Sequence, residues 1–428
     1  MMHLVSFITA LFLLTISIVV SASSLPDPLN LQQVMKIAEE PDYYTLIEAE
    51  SKILLAQSQR EEAESTLGFR AQLELEAAYI EPSAIQIDKS NNDSSATLRL
   101  TQPLYDFGAS RNSVKAADIE QQASQANMMY VLANRKLELT EYFFEVILSD
   151  LKYAWNNEAL AVAYIRYEAV KDRHALSQVS DLELLESENQ YLDLLHERNL
   201  SEAMQRSSRA NLAEGLNRPG ELPSNLTMPE LGFSQAVLPE YTVLLEKILV
   251  NNMQLKLVEH QLAAAEQRMQ AEQRQLRPFV SAELEVSEFA RINYSEELRA
   301  TLNVNVPLYE DSSIKSRISR ARSVLLQTRS SFLRLKTKVR KQALNLWQKM
   351  AVLKKRDKQL ITTQEFRELT LDKNRALYEM EVKTDLGDSM IAISEIQYKR
   401  AKNTFELALT WMQLRMLAGE ADLMGTDL

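Results

Sequence analysis

The sequence predicts a mainly α protein with a transmembrane β part, in which long antiparallel coiled-coil helices join four strands in each protomer. Three observations predict it. Glycine and proline are scarce, at 8 and 11 in 428 residues, against average usage of about 7% and about 5%, so loops are few and helices run long. Four short segments alternate apolar and polar residues with a period of two. The same order of segments occurs twice along the chain.

Composition narrows the function classes. The chain is 46% hydrophobic and 25% charged, ordinary for a globular protein. It holds no cysteine, which excludes a disulfide framework, a thiolate metal site, a cysteine nucleophile and a lipid-modified N-terminal cysteine. His3, His174, His196 and His260 are scattered and leave little for a zinc cage. A net charge of −11 argues against nucleic acid as a partner, because phosphate binding needs a basic surface. The sequence shows no glycine-rich phosphate loop, no Ser/His/Asp order in a turn context and no metal-ligand spacing. The reading is non-enzymatic, with no cofactor.

Residues 4–20 form an uncharged apolar run containing Phe7, Leu11, Ile16 and Val19. Seventeen residues fall short of the roughly 20 that a spanning helix needs. Val20-Ser21-Ala22 places small residues where signal peptidase cuts, so residues 1–22 are expected to be a signal peptide, with an uncleaved anchor as the alternative. No later run approaches a membrane helix in length. A mature chain that spans a membrane must then do so with strands.

An internal repeat organises the remainder. Pro103-Leu104-Tyr105-Asp106 recurs as Pro307-Leu308-Tyr309-Glu310, and the offset of 204 also carries Ser180-Asp181-Leu182 onto Thr384-Asp385-Leu386 and Gly215 onto Gly419. Upstream, Leu73-Glu74 maps onto Leu284-Glu285 at an offset of 211, so the second copy is seven residues shorter in a loop. Repeat one covers 23–216 and repeat two 241–428. Between them, residues 217–240 form a connector with Pro219, Pro223, Pro229 and Pro239.

Each repeat carries a strand hairpin, at 69–103 and 279–307. Phe69, Ala71, Leu73, Leu75, Ala77 and Tyr79 alternate with polar or small residues over eleven positions, and Ala96, Leu98 and Leu100 alternate with Thr97, Arg99 and Thr101 until Pro103 closes the strand. In the second hairpin Val280, Ala282, Leu284 and Val286 answer Leu298, Ala300, Leu302, Val304 and Val306, closed by Pro307. The polar faces hold Arg70, Glu74, Glu76, Arg99, Glu283, Glu285 and Arg299, a lumen-facing set if the strands surround water. Phe69, Tyr79, Phe279 and Phe289 lie near strand ends, where an interfacial aromatic belt would sit. Each strand is near the length of a tilted membrane strand, about 9 to 11 residues. Four strands cannot seal a barrel, since the smallest have about 8, and open edges are not tolerated in lipid. The chain is therefore expected to oligomerise. Three copies give twelve strands, and dimer and tetramer also close on arithmetic alone.

The helices are read from what is missing. Residues 104–218 lack proline and contain glycine only at Gly108 and Gly215, and no proline follows Pro307. From Ser110 to Ser177 the helix reaches roughly 100 Å at 1.5 Å per residue. Ser180 with Glu183 reads as a capping box that starts the returning helix, which makes Asp181 and Glu183 caps first and gate candidates second. Thr384-Asp385 starts the equivalent helix, and Gly215 and Gly419 are expected C-caps. Pro103, Gly108 and Pro307 mark the strand-to-helix junctions. Trp155, Trp347 and Trp411 lie within helices and read as core packing.

The duplicated helix, strand hairpin and helical hairpin, with paired Pro-Leu-Tyr-Asp/Glu strand ends and Ser/Thr-capped tips, resembles the TolC-type outer-membrane efflux protein family over nearly the whole mature chain. The resemblance implies a homotrimer: a twelve-stranded barrel in outer-membrane lipid above a helical periplasmic tunnel. It also implies a periplasmic adaptor and an inner-membrane pump as partners, in efflux or type I secretion. Members commonly carry glycine at the helical tips, where this chain has Ser177 and Glu381, and Ser312 stands where the first junction has Gly108. In that family paired acids narrow the periplasmic entrance, which points to Asp385 and Asp388, three apart on one helix face; the alternative is that they complement the helix dipole. The rival function is an exported soluble coiled-coil scaffold or adaptor.

Overall fold

The computed structural model describes residues 25–220, 225–291, 296–308, 313–380, 386–420 and 422–425. The signal segment 1–22, Ser312, Glu381 and Asp385 lie outside the described residues. Helices α1 (Leu31–Ile37) and α2 (Tyr44–Ser65) lead to strands β1 (Arg70–Glu76) and β2 (Ser95–Tyr105), then to α3 (Ala109–Ala175) and α4 (Asp181–Gly215). The order then recurs as α5 (Tyr241–Asn251), α6 (Met253–Arg274), β3 (Phe279–Phe289), β4 (Leu298–Asn305), α7 (Ser313–Glu379) and α8 (Leu386–Leu417). Both α3 and α7 are 67 residues long, about 100 Å.

The four strands make one antiparallel sheet in the order β1-β2-β3-β4. Two strand ends differ from expectation. Pro103 does not close β2, which continues to Tyr105 through a register shift between Pro103 and Tyr105; a bulge is where a central strand tolerates a residue without an N–H. β1 stops at Glu76, and Tyr79 keeps only an isolated bridge to Asn92.

Local chemistry sets the helix ends. The Asp106 carboxylate accepts from the N–H of Gly108 at 2.9 Å and of Ser110 at 2.5 Å, satisfying orphan donors of α3. Phe107 and Gly108 both have left-handed backbones, φ 56° and 87°, and a Cβ on Gly108 would strike the Arg274 guanidinium. Gly419 (φ 77°) ends α8, with the N–H of Glu420 bonded to Arg415 O at 3.0 Å, a glycine C-cap. Gly215 is not one. It is the last residue of α4, and the left-handed residue is Asn217 (φ 57°). A Cβ on Gly215 would lie 2.9 Å from Leu139 and Tyr142, so this glycine permits α4 to approach α3.

In the strand-proximal half the helices lie side by side as α2-α3-α6-α7, and in the distal half as α4-α3-α8-α7. The layer has two edges, α7 on one side and α2 with α4 on the other. The core forms a belt at the midpoint of the long helices, where Leu139, Phe143, Phe144, Val339, Met350, Phe405 and Trp411 are buried. Phe144 and Phe405 stack at 4.2 Å and 5°. The connector closes over this belt: Leu29 pairs with Leu226, Phe233 is buried, and Trp347 donates Nε1–H to Pro239 O at 3.0 Å. Arg135, 3% exposed, donates Nε–H to Ala38 O at 2.9 Å and lies 3.4 Å over the Tyr43 ring. Burial lowers the guanidinium and pushes the Tyr43 hydroxyl up to about 12.

Candidate functional site

Register and alternation sort the sheet into two unlike faces. Gln72, Arg99, Glu285 and Arg299 form one row across the strands, and Arg70, Thr101, Glu283 and Thr301 the next. Glu74 and Glu76 share that face, so seven of the eight charged strand residues lie on it; Glu288, paired with Ala96, lies on the other. Ala71, Leu100, Leu284 and Ala300 form a row on the opposite face, followed by Leu73, Leu98, Val286 and Leu298. Those apolar side chains stand open, Leu73 63% and Leu302 65% exposed.

Arg99 sits among three carboxylates. Its Nε is 3.1 Å from Glu283 and 3.3 Å from Glu285, and Nη1 is 3.8 Å from Glu74. Arg299 turns instead to Glu296, three residues before it. The charged face therefore keeps an acidic excess around a single guanidinium. Of the four aromatics expected in a belt, Phe69 alternates with the apolar face, whereas Phe279 pairs with Asn305 and Phe289 with Ser95 on the charged face. Sequence reasoning missed Arg291, which is buried beyond β3 and donates Nη2–H to Asp88 O at 2.7 Å and Gln86 Oε1 at 3.2 Å, holding the β1–β2 loop against β3.

At the far end, α3 turns into α4 with Ser177 in the left-handed conformation, φ 56°, so a serine takes the place where the resemblance leads one to look for glycine. The expected capping box is half formed. Ser180 Oγ accepts from the Glu183 N–H at 3.2 Å, but the Glu183 carboxylate faces Arg173 at 3.6 Å. Asp181 meets His174 Nε2 at 2.7 Å, and Asp388 meets Arg166 at 2.6 Å. Each described tip acid thus faces a base on the last turns of α3, partners that spacing within α4 or α8 did not reveal. Gly387, one residue before Asp388, brings α8 onto Val162 of α3, where a Cβ would be 3.0 Å away.

No described helix is long and apolar enough to cross a membrane, and no metal-ligand cluster occurs among the described residues. The fold, a two-faced open sheet on 100 Å helices, is similar to those of solved outer-membrane channels. The chain is similar to the Campylobacter jejuni CmeC outer membrane channel, at 11% identity over 91% of this chain and 85% of that one, TM-score 0.76. It is similar also to the Vibrio cholerae outer membrane protein VceC (15% identity, 92% and 97% covered, TM-score 0.70) and to the open-state MtrE outer membrane channel of Neisseria gonorrhoeae (16%, 93% and 90%, TM-score 0.68). No family model and no curated protein matches the sequence. At these identities the likeness establishes the fold, and the resemblance to the TolC-type proteins holds at that level.

Proposed function

We propose that this protein is the outer-membrane channel of a tripartite efflux or type I secretion system, conducting substrates passively from the periplasm to the exterior. Three copies would close a twelve-stranded barrel, apolar faces to outer-membrane lipid and charged faces to the lumen, with the helices as a periplasmic tunnel. A periplasmic adaptor protein and an inner-membrane pump would supply substrate and energy. In this reading the chain is a tandem duplication, 23–216 and 241–428, joined through 217–240. The observation that carries the proposal is the sheet: among the described residues both edge strands, β1 and β4, lack a second neighbour, and the apolar face has no cover. In lipid such a sheet must close on others.

The entrance reading follows. Asp388, with Asp385, Asp181 and Glu183 beside it, would rim the periplasmic mouth, where Asp385 and Asp388 of three copies make six carboxylates that favour cations. The Arg166–Asp388 pair supports the reading that these acids also latch α8 to α3.

Fractionation tests the main claim. Recovery in the outer membrane as an oligomer that dissociates only on heating is expected, whereas a free periplasmic monomer would establish the soluble scaffold instead. For the entrance, Asp385→Asn with Asp388→Asn is expected to raise single-channel conductance in planar bilayers and reduce cation preference; unchanged conductance leaves the acids as helix-end charges.

A further inference from the structure

Helices α6 and α8 lie end to end between α3 and α7, which flank α6 in the strand-proximal half and α8 in the distal half. Asn252 makes the join: its side chain accepts the Leu255 N–H at 3.0 Å, capping α6, and donates to Leu417 O at 2.9 Å, at the end of α8. Two helix ends cannot continue each other's rows of side chains, so the packing is interrupted there. A niche of about 340 Å³ opens between the two ends, α3 and α7, at the small end of the range for ligand sites.

The lining sets this niche apart from the surrounding surface. None of the residues that line it is charged and six are carboxamides, although α7 alone carries 18 lysines and arginines. Two of the six are engaged within the fold, Asn252 at the join and Gln254 with the Tyr130 hydroxyl. The other four are Asn134 of α3, Gln342 and Asn345 of α7 and Gln413 of α8, and they make no hydrogen bond to another of the described residues. Each offers two N–H donors and one carbonyl acceptor. Met253, Met416 and Leu346 supply the apolar part of the lining, and thioethers suit contact with an aromatic ring.

These groups discriminate between classes of ligand. An ion entering the niche would lose hydration and find no counter-charge. A purely apolar molecule would cover the four carboxamides and leave them unpaired. We infer that the join of α6 and α8 is a binding site for an uncharged, planar heteroaromatic amide, with its ring against Met253, Met416 and Leu346 and its amide edge paired with the free carboxamides. Such a ligand ties α3 and α7 to the point where the two halves of the helical layer meet. The inference goes beyond the channel reading and does not depend on it.

The test titrates the full chain in detergent with quinoline-3-carboxamide by calorimetry, beside quinoline-3-carboxylate and quinoline. Saturable binding of the carboxamide is expected, about tenfold or more tighter than either analogue. Bound carboxamide is also expected to slow amide hydrogen exchange in the last turn of α8 and the first turn of α6. Asn345→Leu with Gln413→Met keeps side-chain size and removes two carboxamides, and is expected to weaken binding about tenfold or more with helicity by circular dichroism unchanged. Asn134→Leu with Gln342→Met serves if the first pair fails to fold. A folded variant that binds the carboxamide as the wild type does overturns the inference. Equal affinity for the carboxylate makes the niche an anion site, and equal uptake of quinoline is partition into apolar surface or detergent; either result overturns it. So does the absence of saturable binding at millimolar carboxamide.

Discussion

Gly215 and Gly419 occupy matching sequence positions yet meet different physical needs. Gly419 supplies a left-handed backbone; Gly215 supplies the absence of a side chain, 2.9 Å from Leu139 and Tyr142. Gly215→Ala is therefore expected to cost about 1–3 kcal/mol through overpacking, read as a lowered thermal midpoint of helicity. Asp106 is legible in another way, because its carboxylate does a cap's work for α3. Burial would raise its pKa, but hydrogen bonds from Ser110 and Gly108 outweigh that and hold it below the usual carboxylate range. A lowered folded pKa stabilises above the unfolded value of about 3.9 and loses that contribution as pH falls through the folded one. Asp106→Ala is thus expected to cost about 1 kcal/mol at neutral pH, shrinking below about pH 4, measurable as faster hydrogen exchange in the first turn of α3.

At the scale of elements, periodicity was the readable quantity. Absence of proline and glycine located both long helices, and period two located both hairpins, because these patterns follow from which face each element buries. What periodicity did not reveal depends on partners distant in sequence. Pro103 looked like a strand end because the bulge that accommodates it is set against Ser281 and Val280 of β3. Asp181 and Glu183 read as caps, and Asp388 as a gate acid or a helix-dipole charge, because their partners His174, Arg173 and Arg166 come from another helix. The break between α5 and α6 belongs here as well: buried Asn252 caps α6 through Leu255 N–H at 3.0 Å and donates to Leu417 O at 2.9 Å, tying it to the end of α8. The belt holds such elements together. Phe405→Ala, which removes the ring stacked on Phe144, is expected to cost about 3–5 kcal/mol, seen as earlier loss of helicity on heating while the register of the sheet persists.

The whole molecule is far from compact. Its accessible surface is 27717 Å², against about 16,700 Å² for a folded monomer of this mass. The excess, about 11,000 Å², lies where the helices form a single layer and where, among the described residues, the sheet has no cover. Heat-resistant association in detergent is the expected behaviour, and dilution to a stable, fully helical monomer would contradict it.

The matched lengths of α3 and α7, 67 residues each, have a mechanical consequence. Equal lengths let both helices reach about the same distance from the sheet. Removing one heptad from α3 alone would leave a step of about 10 Å, while trimming both helices would merely shorten the reach. Length, in such a protein, is heritable only as a pair.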